Sequence, residues 1–522
     1  MSVGPDSPAH GPAGGARVLR PPVRRRRGER SFRAAVGLGV LGALVPGAAF
    51  LAAGRRVLGA VTLVVFLLLV GGGVWLATGG RRTVLLTAVD TDQLLWVVAG
   101  VGLLALLWVA VVVAGFVMLV PRRLSSGRRA LGALVVTVLV AAIVAPAVWA
   151  SQLLLTQREL IAGVFDVDGR SATVEDTPDP FGNKERVNVL LLGGDGGEGR
   201  EGVRTDTVIV ASIDADTGDT VLFSLPRNLQ DLPFPQDSPL HEVYPNGFEG
   251  ANESDSLLNA VYRTGPAWYP GILGPTDDAG ADFLKLGVGE ALGLEIDYYV
   301  LVNLDGFSRL VDALGGITVN VNYYVPIGGD PGTGRLPDDY IAPGPDQHLD
   351  GVRALDFARG RFGLSDYDRM ARQRCAIDAI IDAANPGTLL RKYQELAATT
   401  EDIVSTDIPR SALDDFVELG LLVKDASVRS VVFDVSVIDP AYPDYDRIRQ
   451  IVQDALVPPA APTGWAEEAP ADGSTAPPSP VGEPAAPATV DGPAADVADA
   501  CAYDPVRAQE ALAAGEPPTY GG

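Results

Sequence analysis

Arg186-Val-Asn-Val-Leu-Leu-Leu-Gly-Gly-Asp195 is an apolar run stopped by two glycines and an acid. It reads as a buried strand ending in a glycine turn. Residues 207–214 and 220–225 are two further apolar strands, separated by Ala215-Asp-Thr-Gly-Asp219, a hairpin signal. Helical periodicity follows at 253–263 and 280–292. Residues 298–302 are strand-like, 307–314 helical and 317–321 a strand after Gly315-Gly316. Helices are expected at 354–358, 366–384, 387–400, 410–424 and 444–456, with a late strand at 430–437. Strands and helices interleave, so residues 186–456 form an α/β domain. About 270 residues suffice to bury a substantial core.

The chain before this domain has another character. Arg24–Arg27, Arg30 and Arg33 make a basic tail over residues 1–33, and a membrane region spans 34–150. Three stretches, 57–77, 95–120 and 130–150, are apolar over roughly 20 residues, the length that crosses a ~30 Å hydrocarbon layer. A fourth, 34–53, is broken by Pro46-Gly47 and reads as a re-entrant or additional span. The tail, Arg55-Arg56 and the Arg122, Arg123, Arg128, Arg129 group all favour the cytoplasm. If 34–53 turns back, three spans satisfy these arginines and place the later domain outside, at the cost of Arg81-Arg82 lying there too. The spans hold no Asp, Glu, Lys or His, which argues against an ion or proton pathway. No small-residue cleavage site follows a short apolar core, so a cleaved signal peptide is not expected. Residues 151–185 read as an irregular linker. Residues 457–522 read as a Pro/Ala-rich disordered tail, with a short helix near 504–514.

Charge follows the same division. Residues 1–150 carry 16 arginines against four acids; the rest holds 25 bases and 61 acids, a balance of −36 in a chain of formal charge −24. So acidic a surface repels polyanions and excludes nucleic acid as a partner. Three histidines are too few and scattered for a metal cluster. The two cysteines, Cys375 and Cys501, could pair outside the cytoplasm, or Cys375 could be a core residue of its helix.

Against that acidity, three segments combine arginine with carboxylate. In the first, Asp195 and Arg204-Thr-Asp206-Thr207 flank a glycine-rich loop, 196–202. Two aspartates so placed could hold Mg2+, a hard ion that keeps phosphate oxygens in its shell, or form a solvated acidic turn. It is not a P-loop, because no Gly-Lys-Ser/Thr follows. In the second, Ser224-Leu-Pro-Arg227-Asn228 puts Arg227 just beyond a strand end, a common place for ligand contacts and also for a surface ion pair. The third, Phe357-Ala-Arg359-Gly-Arg361 through Asp366-Tyr-Asp-Arg369-Met-Ala-Arg372-Gln373, has four arginines in fourteen residues. Arg359 and Arg361 share a face if the segment is extended. On a helix, Asp366, Arg369 and Gln373 share another, with Arg372 turned away and structural. Guanidinium forks suit diphosphate oxygens.

Counted as motifs, Leu190-Leu-Leu-Gly-Gly-Asp195, Arg204-Thr-Asp-Thr207, Ser224-Leu-Pro-Arg227, Val311-Asp-Ala-Leu-Gly-Gly-Ile317, Leu349-Asp-Gly351 and Arg359-Gly-Arg361 with Asp366-x-x-Arg369-x-x-Arg372-Gln373 are six in order over about 187–385, and together they resemble the LytR-CpsA-Psr family. The multi-span, arginine-rich amino terminus with its Pro-Gly hairpin resembles actinobacterial members. The resemblance implies a mixed central sheet flanked by helices. It implies a membrane-bound phosphotransferase that moves a glycopolymer from a polyprenyl-diphosphate carrier to peptidoglycan at the outer face of the plasma membrane. Asp195 and Asp206 would hold Mg2+. Arg204, Arg227, Arg359, Arg361, Arg369 and Gln373 would bind the diphosphate. Asp206, Arg227, Arg361 and Asp366 would act in catalysis, Asp206 or Asp366 as base. The carrier's tail would occupy an apolar pocket. Many members have Asp where this chain has Asn228, so no carboxylate role is carried to that position. The rival readings are a non-catalytic polyprenyl-phosphate binder or sensor, which would need the same arginines, and a transcriptional regulator, which topology and acidity oppose.

Overall fold

The computed structural model describes residues 32–121, 125–165, 170–174, 180–182, 184–195, 204–384, 404–457 and 494–520. Most of the basic tail, the Arg122-Arg123 pair, the 196–202 loop, the 387–400 helix and 458–493 of the tail lie outside them. The chain divides into two compact units: 1–74 with 102–147, and 75–101 with 148–522.

Three helices are long and apolar enough to cross a membrane: Arg56–Thr78 (α3), Thr91–Leu119 (α5) and the Ser126–Glu159 part of α6. They are apolar on all sides, as lipid-facing helices are. In the first unit, the 34–53 stretch forms two helices, α1 (Phe32–Leu44) and α2 (Ala48–Ala52), not one continuous helix. The turn between them rests on Gly47, at φ +100°, where a Cβ would stand 2.5 Å from the Gly59 carbonyl oxygen. Trp108 Nε1 donates to the Ala43 carbonyl at 3.1 Å and ties α1 to α5.

In the second unit, α4 (Arg81–Val89) pairs Arg82 with Glu418. Leu94 and Ile161, from α5 and α6, join a core with Val187, Val189, Tyr298 and Ile408. The expected linker from 151 is therefore corrected. Helix α6 continues to Val164, because apolar side chains at its end find this core. Beyond it, Ser171 and Thr173 each donate to the buried Asp282 carboxylate at 2.8 Å.

The domain is built on a seven-stranded sheet in the order β11-β10-β3-β2-β1-β4-β9. Strand β1 (Arg186–Gly194) pairs antiparallel with β2 (Thr205–Asp214) and parallel with β4 (Tyr298–Asn303). Strand β3 (Thr220–Leu225) pairs antiparallel with β2 and parallel with β10 (Val428–Val432). The sheet is thus mixed, and β1, β3, β4 and β10 end at one edge. Every residue of β3 is buried, since both faces are covered. Val208, Val210, Val221 and Phe223 enter one core with α8 (Leu258–Trp268), α9 (Ala279–Leu292) and α14 (Tyr445–Leu456). The alternate residues Ile209, Ala211 and Leu222 face Ile377 and Val497.

A second core gathers α10 (Leu304–Leu314), β5 (Ile317–Val321), β6 (Val325–Ile327), β7 (Asp339–Ile341), β8 (Gly344–Leu349), α11 (Gly351–Arg359) and α12 (Asp366–Ala383). Three short elements fill the gaps: α7 (Pro239–Val243), β9 (Val404–Thr406) and α13 (Leu413–Asp425).

Several expectations shift. Arg359 is the last residue of α11, so Arg359 and Arg361 do not alternate along an extended strand. Gly360 between them has no room for a side chain, as a Cβ would meet the Pro326 carbonyl oxygen at 2.4 Å. The expected 253–263 helix starts as a short 3-10 turn, Glu253–Asp255, before α8. The late strand begins and ends earlier than 430–437, because Asp434 caps a turn by accepting from Ser436 N at 2.8 Å. The tail is not disordered over 494–520. Strand β11 (Ala495–Asp496) pairs with β10, followed by α15 (Val497–Ala500) and α16 (Pro505–Ala514). Cys375 and Cys501 form a disulfide across 126 residues. A two-residue strand and three scattered buried residues, Ala494, Val497 and Ala508, leave no hydrophobic period to read, although the helix expected near 504–514 is present as α16.

Candidate functional site

The common end of the parallel strands collects the charged residues, where ligands gather in such sheets. Asp195 follows β1, Arg227 follows β3, and antiparallel β2 starts there with Thr205 and Asp206. Gly193 lets β1 and β2 close tightly, since a Cβ would stand 2.8 Å from Thr207 Cβ. Helix α12 begins beside this edge, fixed by a capping box between Ser365 and Asp368.

Asp206 is the centre of the cluster. Its Oδ1 accepts from Arg227 Nη1 and Asn259 Nδ2, both at 2.9 Å, and its carbonyl accepts from Arg369 Nη1 at 2.9 Å. Burial alone pushes its carboxyl up. The Asn259 hydrogen bond and the Arg227 guanidinium outweigh that and hold it below the ordinary range. Asp366 accepts from Arg369 Nε at 3.1 Å and Nη2 at 3.0 Å, a bidentate pair. Arg227 Nε stands 3.4 Å and Arg361 Nη1 3.8 Å from the same carboxylate. Burial and then the charge of Arg227 lower the Arg361 pKa, the sign of a site crowded with cations. Arg369 is only 4% exposed.

A cavity of about 510 Å³ opens from this cluster into the domain. Its polar end carries Asp195, Asp206, Arg359, Arg361, Arg369 and Gln373. Its interior is apolar, walled by the β1, β2 and β4 face and by α10 and α12, with Ile209, Val300, Phe307, Leu310, Ile377 and Ile380 among its residues. Arg369 and Gln373 thus face it together, as their helical spacing requires, and Gln373 Nε2 also donates to Thr207 Oγ1 at 2.9 Å. Arg372 is turned away. It is buried, donates to the Phe357 carbonyl at 2.6 Å and to the Gly360 carbonyl, and pins the turn that presents Arg359 and Arg361.

Arg204 is placed differently. Its guanidinium reaches Asp255 at 3.3 Å and Ser254 at 3.4 Å and is absent from the cavity lining, while its backbone N–H donates to Asp195 Oδ1 at 2.8 Å. Two residues that sequence reasoning missed join the site. Asn259 touches Asp206 directly. Asp356 lines the cavity, its carboxyl pushed up by burial despite Arg359 and Arg353. Asp356 lies one residue before the third arginine-rich segment; for Asn259 the available signal was a polar residue inside an apolar helical stretch.

Asp195 and Asp206 line one cavity mouth, but no group of three or more metal-binding side chains occurs among the described residues. A hard cation held by two carboxylates and substrate phosphates needs no third protein carboxylate, so the donor set is compatible with Mg2+.

Residues 165–443 match the family described as LytR_cpsA_psr. The chain belongs to the LytR_cpsA_psr family. It is 31% identical over 246 residues to an Enterococcus faecalis protein named polyisoprenyl-teichoic acid–peptidoglycan teichoic acid transferase TagU, covering 46% of this chain and 66% of that one. It is 32% identical over 216 residues to the probable cell wall biosynthesis protein LcpB of Corynebacterium glutamicum, covering 40% and 41%. The match therefore spans less than two-thirds of each of these relatives. Against the crystal structure of B. subtilis TagV, identity is 23% and the TM-score 0.36, over 52% of this chain and 97% of that one. Within this LytR_cpsA_psr chain, the motif residues Asp195, Asp206, Arg359, Arg361, Arg369 and Gln373 line one cavity, and Arg227 and Asp366 stand behind them, Arg227 ion-paired to both Asp206 and Asp366.

Proposed function

We propose that the protein transfers a glycopolymer from a polyprenyl-diphosphate carrier to peptidoglycan at the outer face of the plasma membrane. The observation that carries this reading is a largely apolar cavity that also presents the guanidiniums of Arg359, Arg361 and Arg369, the pairing of polarities that a lipid diphosphate carries. The relatives' names as transferases to peptidoglycan support it. Arg359, Arg361 and Arg369 would hold the diphosphate oxygens, Arg227 would face the developing charge, and Gln373 would order the β2 end. Arg204 would reach the substrate by exchanging Asp255 for phosphate.

In the reaction, an acceptor sugar hydroxyl attacks the phosphorus that bears the glycan. A new P–O bond forms, the bond to the distal phosphate breaks, and polyprenyl monophosphate leaves. The hydroxyl proton is lost to a carboxylate or to water. Charge on the phosphoryl oxygens is what must be stabilised, and preorganised cations do that. Asp195 and Asp206 would hold Mg2+, which supplies further charge neutralisation there. A carboxylate held as low as Asp206 is a weak base, which suits holding a cation better than taking a proton.

The arginines flanking the three apolar helices support placing the domain outside the membrane. The test is transfer by the full chain in proteoliposomes. Arg227→Ala or Arg361→Ala is expected to lower transfer by about 100-fold or more while leaving the thermal unfolding profile in place. Transfer at the wild-type rate in either variant would overturn the assignment.

A further inference from the structure

Asn259 lies in the first turn of α8 and is 3% exposed, among the buried apolar residues Leu258, Ala260 and Val261. It is bound into a closed ring of three residues. Its backbone N–H donates to the Arg227 carbonyl at 3.0 Å. Its Nδ2 donates to Asp206 Oδ1 at 2.9 Å, the oxygen that Arg227 Nη1 also reaches at 2.9 Å. Its own Oδ1 has no hydrogen-bond partner among the described residues. A buried amide satisfied on one side only is a cost to folding, and an apolar residue of similar volume would avoid it. A residue kept for packing alone would not be an asparagine here.

We propose that Asn259 is a positioning residue for Asp206: it commits one carboxylate oxygen to the protein and leaves the other as the oxygen a ligand meets. The described side-chain hydrogen bonds to Asp206 all fall on Oδ1, and Asp206 lines the cavity mouth. With Arg227 alone, the carboxylate could rotate and offer either oxygen to the guanidinium fork. The amide N–H, held by a helix whose backbone is itself bonded to Arg227, removes that freedom. Asn259 therefore sets the direction of Asp206 and the separation of α8 from the Arg227 loop at once. The consequence for turnover rests on the transfer reading; the bond to Asp206 does not.

The test uses the purified full chain in phospholipid nanodiscs with Asn259→Leu, Asp206→Ala, the double variant and Asn259→Gln. Thermal unfolding should show a double-mutant cycle that is not additive, because either single change removes the same bond. In the transfer assay, Asn259→Leu should lower turnover at saturating carrier about 10- to 100-fold with the carrier KM within about twofold of wild type, since Asn259 touches no carrier. Asn259→Gln, which keeps the donor, should recover part of that loss. Additive unfolding shifts, or wild-type turnover in Asn259→Leu, would overturn the proposal. A wild-type chain that shows the coupling but transfers nothing would sink the functional reading and leave the positioning of Asp206 standing.

Discussion

Asp206 holds the site's electrostatics at the residue scale, because Arg227, Asn259 and Arg369 all converge on it. Its lowered carboxyl carries a pH prediction. A carboxylate whose folded pKa lies below its unfolded value stabilises the fold fully above about pH 4, the unfolded value, and loses that contribution as pH falls through the folded one. Asp206→Asn should therefore lower Tm near pH 7, and the gap to wild type should narrow as pH falls below about 4. A gap that does not narrow would contradict it. The motifs made the ion-pair partners legible: Asp366, Arg369 and Gln373 share a helix face by spacing alone. Arg204 was not legible, because Asp255 is 51 residues away in sequence and competes for its guanidinium only once the chain is folded. Asn259 was hidden for a different reason. A single amide in an apolar helix carries no charge pattern, and only the return of α8 to the β2 edge gives it a partner.

Helix α12 links the chemistry to the carboxyl-terminal segment at the scale of elements. One end carries Asp366, Arg369 and Gln373; further along, Cys375 bonds to Cys501. The segment from 494 is also held by β11 on β10, by Asn320 and Asn322 donating to the Cys501 and Ala502 carbonyls at 3.1 Å, and by Arg507 stacked 4.3 Å from the Tyr323 ring. Closing so long a loop restricts the unfolded chain, so Cys375→Ser with Cys501→Ser should cost about 2–5 kcal/mol. Reduction of the wild type should lower Tm by a similar amount, and a Tm insensitive to both changes would show that the segment is not a structural staple. Strands β1 to β5 were readable because apolar runs and glycine turns mark them. In the segment 494–520 only the helix near 504–514 was readable, because the other attachments are single residues scattered along a polar stretch. The end of α6 was misread as linker because its pairing surface lies far along the chain, in β1, β4 and the 404–412 region.

The whole molecule combines three helices long and apolar enough to cross a membrane with an acidic α/β domain, and the proposed function needs that domain on the outer side. In intact cells, an added protease should digest the domain, whereas complete protection until lysis would place it inside and remove peptidoglycan as an acceptor. The domain class, the three apolar helices long enough to cross a membrane and the arginine cluster were legible because each rests on local pattern. The depth of the apolar cavity was not, since its walls come from β1, β2, β4, α10 and α12, brought together only by the mixed sheet. The most direct measurement reconstitutes the full chain in liposomes with a synthetic polyprenyl-diphosphate glycan, Mg2+ and peptidoglycan, and reads the products by mass spectrometry. Polyprenyl monophosphate together with glycan joined to peptidoglycan through a phosphodiester is the predicted result. Carrier recovered intact from a folded protein that binds it would contradict the account and make the cavity a binding site without chemistry.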